Sequence, residues 1–261
     1  MRRSDLMNET IDNAHMPLDR DAAFAELTPT GKLRVGIIAA PAPSVLFAMR
    51  EGEEVKGVTV DFAEALASQL DASLDIVIFM NSGACTEALE KGAIDVTFMP
   101  VDEERRKKVA FGPAYYLLES TYLVTGTSGI RTLAEVDREG IRVVGIANTT
   151  TIRASTRSLT KTVPTAQESI AAAVDLLLTG QAEALALSRD AFHTLLPKFS
   201  DALVLDGGFQ QTGIAIAVGK DKPAALSFVT AFMSDAKASG LVRKALDAAG
   251  FSHEPVAPLS A

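Results

Sequence analysis

The sequence predicts an α/β protein with two Rossmann-like lobes. Short apolar segments that favour strands alternate with segments whose apolar residues recur at helical spacing, a pattern typical of parallel α/β units. The alternation runs from residue 33 to 99 and again from 141 to 196. A chain of 261 residues is long enough for two domains of ordinary size, so two similar units indicate two similar lobes.

The first unit has three predicted strands, Leu33–Ile38, Leu74–Phe79 and Ile94–Met99. A helix between the first two is indicated by apolar residues on one helical face: Val60, Ala63, Leu66, Ala67 and Leu70. A short helix is expected after Asn81, and Pro100 is expected to end the third strand. Crossovers in such a β-α-β-α-β unit are right-handed, so its strands should be parallel.

The second unit repeats this arrangement. Strands are predicted at Ile141–Ile146, Thr162–Val163 and Ala184–Leu187, with helices at Thr150–Leu159 and over residues 170–178. A further helix should bury apolar side chains near residue 192.

The two ends of the chain differ in character. Strands Ala202–Leu205 and Ile214–Val218 are followed by two predicted helices, from Pro223 to Gly240 and from Leu241 to Gly250. Residues 1–26, in contrast, have no sustained period, and we expect a loose or lightly docked arm there.

Composition narrows the functional classes. A content of 48% hydrophobic and 22% charged residues is typical of a folded, soluble protein, and a net charge of −8 argues against a nucleic-acid partner. No apolar run approaches the ~18 residues that span a bilayer, so membrane insertion is not expected. No signal peptide is visible, and the chain is therefore expected to be cytoplasmic as written, or periplasmic if a leader was removed or misassigned.

The stretch from Ile94 to Val124 concentrates the features of a ligand site. A buried strand runs directly into the charged segment 102–108, and ligands of α/β sheets lie beyond the carboxyl ends of strands. An arginine at that place can bind an anion, and Tyr115 is among the aromatic residues that could line a cleft. A second strand, from Thr121 to Thr125, leaves the region.

This stretch carries a resemblance to a known family. Gly-Ala-Ile-Asp before the strand, Asp-Glu-Glu-Arg after it, then Val-Ala-Phe-Gly-Pro-Ala-Tyr and Thr-Tyr-Leu-Val, follow in the order found in family-3 solute-binding proteins of ABC importers. The opening Gly31-Lys32-Leu33-Arg34-Val35-Gly36 and the segment Gly57-Val58-Thr59-Val60-Asp61-Phe62-Ala63 are also similar to that family. Together they run from about Leu27 to Phe251.

The resemblance implies the periplasmic binding protein type II fold, in which two strand crossings, near Val124 and Gly213, form a hinge. Lobe 1 would then comprise residues 27–125 and 214–261, and lobe 2 would be the inserted segment 126–213. Such a hinge lets two half-sites close on one ligand.

The resemblance also implies the parts of the site. Arg105 aligns with the arginine that grips a ligand carboxylate, and a planar guanidinium can do so through two parallel hydrogen bonds. We expect Arg105 to be exposed in the cleft and Arg106 to be a surface charge. The turn Asn148-Thr149-Thr150-Thr151, between a strand and a helix of lobe 2, would complete the clamp.

Two places depart from the family pattern. In the first lobe, Met99-Pro100-Val101 replaces the small hydroxyl-rich segment that usually cradles the amino acid, and the link to Arg105 is shorter. Ser188 occupies the place where amino-acid binders usually carry an aspartate for the ligand ammonium, and a serine cannot neutralise that charge. Unless Asp190 or Asp102 turns inward, a carboxylate without a free α-ammonium, such as a keto or hydroxy acid, should be preferred. Asn81 and Ser82 could donate hydrogen bonds, and Phe47 could stack on the ligand.

No cofactor or metal is expected. Cys85 is the single cysteine and is interpreted as a small core residue, and the three histidines do not cluster. No glycine-rich nucleotide motif is present.

These observations predict a solute-binding protein that delivers a small carboxylate-bearing ligand to an ABC permease, with no catalytic residues. An enzyme on the same fold, similar to cyclohexadienyl dehydratase, is the alternative, and Asp102, Glu119 or Asp190 would supply its acid. A cytoplasmic ligand sensor is a third possibility.

Overall fold

The computed structural model describes residues 18–40, 44–52, 54–79 and 81–259 of a mixed α/β protein. Its strands are β1 Lys32–Ala40, β2 Ala48–Glu51, β3 Glu54–Lys56, β4 Ser73–Phe79, β5 Val96–Pro100, β6 Val109–Val124, β7 Val143–Ile146, β8 Thr165–Gln167, β9 Ala184–Ser188, β10 Leu203–Val204 and β11 Gln210–Gly219. Its helices are α1 Arg20–Leu27, α2 Val58–Leu70, α3 Ser82–Glu90, α4 Glu103–Arg106, α5 Leu133–Val136, α6 Thr150–Ser158, α7 Ile170–Leu178, α8 Arg189–Leu195, α9 Pro223–Ala238 and α10 Leu241–Ala248.

The strands form one connected sheet in the order β3-β2-β1-β5-β11-β6-β9-β7-β8, with β4 paired to β1 and β10 paired to β6. β1 is parallel to β4 and β5, and β7 is parallel to β8 and β9, which confirms the two predicted parallel units. Between them, β6 and β11 run antiparallel to each other. These two strands therefore join the units.

β6 is longer than predicted. It has 16 residues and begins at Val109 rather than near Thr121, because residues 109–120 pair with β11. Residues 120–124 pair with β9. Pro100 is the last residue of β5 and is paired with Ile214. Because proline has no N–H to donate to a neighbouring strand, the strand ends at this residue.

The buried residues among those described form four apolar clusters that fall into two groups. Two clusters contain residues 23–118 and 214–246, and the other two contain residues 122–205. A continuous sheet thus carries separate cores at its two ends, while the exact lobe boundaries stay a prediction.

Part of the predicted arm is well packed. α1 begins after Asp19, whose side chain accepts a hydrogen bond from Ala22 N, and its Ala23 and Leu27 are fully buried in the largest cluster. Glu26 also accepts a hydrogen bond from Ala225 N at the start of α9. The prediction of a loose arm is therefore wrong for residues 20–26. Residues 1–17 lie outside the described residues.

Three further elements differ from expectation. The hairpin β2–β3 was not predicted, nor was the single helical turn α4 within the charged segment. The short strand β8 begins at Thr165, and the predicted strand residue Val163 is 78% exposed. In the described part of the chain, no helix is both long and apolar enough to cross a membrane.

Candidate functional site

Arg105 lies on the single-turn helix α4, which follows the end of β5. Asp102 caps this turn, since its Oδ1 accepts a hydrogen bond from Arg105 N at 2.8 Å. The guanidinium donates from Nη1 to Pro100 O at 2.9 Å and from Nη2 to Ser82 Oγ at 2.6 Å. Arg105 is only 6% exposed, so the expectation of an exposed cleft arginine is wrong.

The two arginines of α4 differ in exposure, and Arg106 is at the surface as expected. Arg106 is exposed, and its guanidinium carbon lies 5.7 Å from the centre of the Phe111 ring. Burial lowers the pKa of Arg105, an effect that Asp102 opposes and nearby Arg153 reinforces. An arginine keeps its charge under such a shift, because its ordinary pKa is far above neutrality.

Ser82 and Asn81 play different parts. Ser82 Oγ meets Arg105, as described above, at the first turn of α3. Asn81 is the N-cap of α3, and its Oδ1 accepts a hydrogen bond from Ala84 N at 2.9 Å. The side-chain oxygen of Asn81 therefore caps helix α3, and Ser82 rather than Asn81 contacts Arg105.

Asp102 is bound between two arginines. Its Oδ2 forms an ion pair with Nη2 of Arg153 and lies 4.0 Å from Nε of Arg105. Burial opposes ionisation of Asp102, but the Arg105 N–H and the two guanidinium groups outweigh it, so the pKa of Asp102 is lowered. Arg153 lies on α6, 51 residues away in sequence, and the sequence analysis missed it.

The turn before α6 is built as an N-terminal cap. Asn148 has a φ of 61°, a left-handed conformation that asparagine tolerates better than most residues. Thr149 Oγ1 accepts a hydrogen bond from Ile152 N at 3.2 Å. Thr150 and Thr151 are buried, and Thr151 Oγ1 lies 3.1 Å from Ser120 Oγ on β6.

Asp190 is the most unusual acid of the region. It is 3% exposed, and its Oδ1 has no hydrogen-bond partner among the described residues. Burial raises its pKa, while hydrogen bonds from Ser188 and from the N–H groups of Ala191 and Val45 oppose the rise. Ser188 itself pairs with Ser120 across the sheet. Asp190 is therefore buried next to Ser188, and its contact with a ligand ammonium stays a prediction.

Tyr115 belongs to the core. Its side chain has no exposed surface and packs on the rings of Phe62 and Phe98, while its hydroxyl donates to Val45 O at 3.0 Å. We therefore correct the prediction that it lines a cleft: it anchors the loop that precedes β2. Phe47, on that loop, is partly buried against two apolar clusters.

These residues converge from four elements: the end of β5 with α4, the start of α3, the start of α6 and the end of β9. Arg105, Ser82, Asp102 and Arg153 form one connected network. Two surface depressions of about 340 and 670 Å³ lie elsewhere, and none of the predicted site residues lines either. Among the described residues, no group of three acids, histidines or cysteines is placed to hold a metal.

A fold with two parallel units joined by paired antiparallel strands, and with its polar network between them, defines a two-part binding protein. Residues 33–248 match the family model of bacterial extracellular solute-binding proteins, family 3. Because this match covers most of the chain, the protein belongs to that family. A search of curated proteins found no significant match.

Solved structures share this fold. A mutant of ArgBP from T. maritima is 26% identical, with a TM-score of 0.71, covering 87% of this chain and 98% of that one. A Wolinella succinogenes protein complexed with lysine is 20% identical, with a TM-score of 0.74 and coverages of 84% and 95%. The ancestral amino acid-binding protein AncCDT-1, a precursor of cyclohexadienyl dehydratase, is 24% identical, with a TM-score of 0.72 and coverages of 86% and 98%.

Proposed function

We propose that this protein is the solute-binding component of an ABC-type importer. Its ligand is a small carboxylate-bearing solute, an amino acid or a related organic acid, held between the two predicted lobes. Family membership supports the role, and the partner would be the permease of that importer. This role places the protein outside the cytoplasmic membrane.

The buried guanidinium of Arg105 carries the proposal. An arginine has five N–H donors, and hydrogen bonds to Pro100 O and Ser82 Oγ use one on each terminal nitrogen. One N–H remains on each of these nitrogens, which suits a carboxylate bound through two parallel hydrogen bonds. The two existing bonds hold the guanidinium plane in place before the ligand arrives, which reduces the entropy cost of binding.

The start of α6 supplies the second half of the clamp. Backbone N–H groups in a first helical turn are free to bind an anion, and the helix dipole favours negative charge there. Asp190, whose Oδ1 has no hydrogen-bond partner within the described part of the chain, is suited to a ligand ammonium. An amino acid, which carries both charges, therefore fits these groups better than a simple carboxylic acid.

Isothermal titration calorimetry with L-arginine, L-lysine and L-glutamate tests the proposal. Arg105→Gln should weaken the affinity of the bound amino acid about tenfold or more, since a charged hydrogen bond contributes about 1.5–3 kcal/mol. Arg106→Gln, a neighbouring exposed charge, is the matched control and should retain the parent affinity.

Thermal unfolding of each variant must accompany the titration, because Arg105 is buried. Equal affinity in Arg105→Gln and the parent would remove Arg105 from the site. If the parent binds none of the three amino acids, the amino-acid assignment is wrong.

Catalysis on the same fold is the second candidate, and the raised pKa of Asp190 favours it. Among the acids considered, Asp102 is held ionised by two arginines and Glu119 pairs with Arg189 at 2.6 Å. A buried carboxyl with a raised pKa is suited to general acid or base catalysis. Turnover of a bound solute, measured by NMR and abolished in Asp190→Asn, would establish an enzyme.

A further inference from the structure

We propose that Asp102 and Arg153 form a latch between the two halves of the ligand site, and that Arg153 is a positioning residue which sets α6 against Arg105. The affinity part of this inference rests on the proposed function. The conformational part does not rest on the proposed function, because it concerns the protein without ligand.

The contact joins the two elements of the proposed clamp. Arg153 is on α6, one helical turn after the Thr149 cap, and Asp102 is the N-cap of the turn that carries Arg105. One carboxylate thus accepts from the Arg105 N–H with Oδ1 and from the Arg153 guanidinium with Oδ2. Any movement of α6 away from α4 must break this ion pair.

The burial of the pair explains why it can act as a latch. The side chain of Asp102 is 14% exposed and that of Arg153 is 36% exposed, so solvent screens this pair less than an ordinary surface pair. Arg105, behind Asp102, is almost fully buried. A ligand therefore reaches the guanidinium of Arg105 only when the halves separate, and the pair re-forms when they close.

A purely electrostatic role for these residues makes a different prediction. If the charges act only through their field on a bound carboxylate, neutralising Asp102 should strengthen binding and neutralising Arg153 should weaken it. If they act as a latch, either change should weaken binding, because each removes the same contact. The direction of the Asp102→Asn effect therefore separates the two roles.

The variants are chosen to leave other contacts in place. Asp102→Asn keeps an N-cap side chain that can accept from Arg105 N, and Arg153→Gln removes only the charge. Arg153→Lys keeps the charge and should partly restore the contact. Arg157→Gln removes an exposed arginine from the same helix and is the matched control.

The first measurement is small-angle X-ray scattering of the full chain without ligand. Asp102→Asn and Arg153→Gln should each have a larger radius of gyration than the parent, while Arg157→Gln should equal the parent and Arg153→Lys should lie between. The parent should expand toward the Arg153→Gln value in high salt, which screens ion pairs. A structural role alone would lower the melting temperature without this expansion. Unchanged radii in both neutralised variants would overturn the latch.

The second measurement is calorimetric titration with whichever of L-arginine, L-lysine and L-glutamate the parent binds. Each neutralising variant should bind about tenfold more weakly, and the double variant no more weakly than either single one, since both lose one contact. Tighter binding by Asp102→Asn would overturn the latch in favour of the electrostatic role. A parent that binds none of the three contradicts the proposed function instead, and leaves the scattering test of the latch intact.

Discussion

The four consecutive basic residues at positions 105–108 differ in burial. Arg105 is buried, whereas Arg106, Lys107 and Lys108 are exposed, and the two lysines pair with Glu104 and Glu90. Exposed pairs of this kind contribute little to stability, typically 0–1 kcal/mol. The buried arginine, whose desolvation must be offset by hydrogen bonds, is the one held in a single position. We therefore expect ligand binding at this segment to depend on Arg105 rather than on the positive charge of the segment as a whole.

Asp190 gives the site a pH-dependent stability. Its pKa is raised by burial, with Glu254 adding to the rise, and in the unfolded chain it returns to an ordinary value. The native state therefore holds its proton more tightly than the unfolded state, and stability from this group is lost as pH rises through the native pKa. Asp190→Asn removes this titration. Its stability relative to the parent should be lowest in acid and should improve as the pH rises through the native pKa of Asp190.

Urea unfolding of the parent and Asp190→Asn at about pH 3.5 and about pH 7 measures this difference. Asp206→Asn, at an exposed aspartate, is the control and should show no comparable trend. A fall in the stability of Asp190→Asn relative to the parent as the pH rises would contradict the assignment of a raised pKa to Asp190.

At the residue scale, the sequence indicated candidate residues but not their contacts. Arg105 was distinguished from Arg106 by its place in the family pattern, and Asn81 and Ser82 were named together by their position after a strand; their roles in binding stay predictions. Arg153 could not be found this way, because its partner Asp102 is 51 residues away and only the packing of α6 against α4 brings them together. Tyr115 was misplaced because it lies at a register shift in the pairing of β6 with β11, which sequence alternation does not reveal.

At the level of elements, α1 extends the core of the first unit. Leu27 is fully buried in the largest apolar cluster, and α1 packs against α9. Leu27→Ala should therefore lower the free energy of unfolding by about 2–5 kcal/mol, the usual cost of a large cavity. Phe24→Ala, at a side chain that is 42% exposed, should cost much less and serves as the control.

Urea unfolding followed by circular dichroism measures both variants. Similar small losses for Leu27→Ala and Phe24→Ala would mean that α1 adds little to stability, as expected of a loose or lightly docked arm. The prediction of a loose arm failed because α1 is short and has only two buried residues, too few to produce a clear apolar period.

The elements predicted well are those whose own residues determine them. α2 and α7 present clear apolar faces, and β1 and β4 are apolar runs between turn residues. The length of β6, the hairpin β2–β3 and the position of β8 depend on neighbouring strands, since a strand forms only where a partner supplies hydrogen bonds. Sequence periodicity contains no such information.

On the scale of the whole molecule, a net charge of −8 coexists with two arginines in the candidate site. Asp102 contacts both arginines, so one carboxylate offsets part of their charge. An acidic surface repels an anionic solute at long range, while a zwitterion carries no net charge to be repelled. The overall charge therefore favours an amino acid over an anion without an ammonium.

The matched pair L-glutamate and 2-oxoglutarate tests this conclusion, because the two differ chiefly in an amino or a keto group. L-Glutamate should bind at least about tenfold more tightly, since its ammonium pairs with the free oxygen of Asp190, and a buried charge left unpaired costs several kcal/mol. Calorimetric titration measures both, and Asp190→Asn should remove most of the difference. Tighter binding of 2-oxoglutarate by the parent would instead support the preference for keto acids that Ser188 suggests. In that event Ser188→Asp, which supplies the missing carboxylate, should shift the preference to L-glutamate.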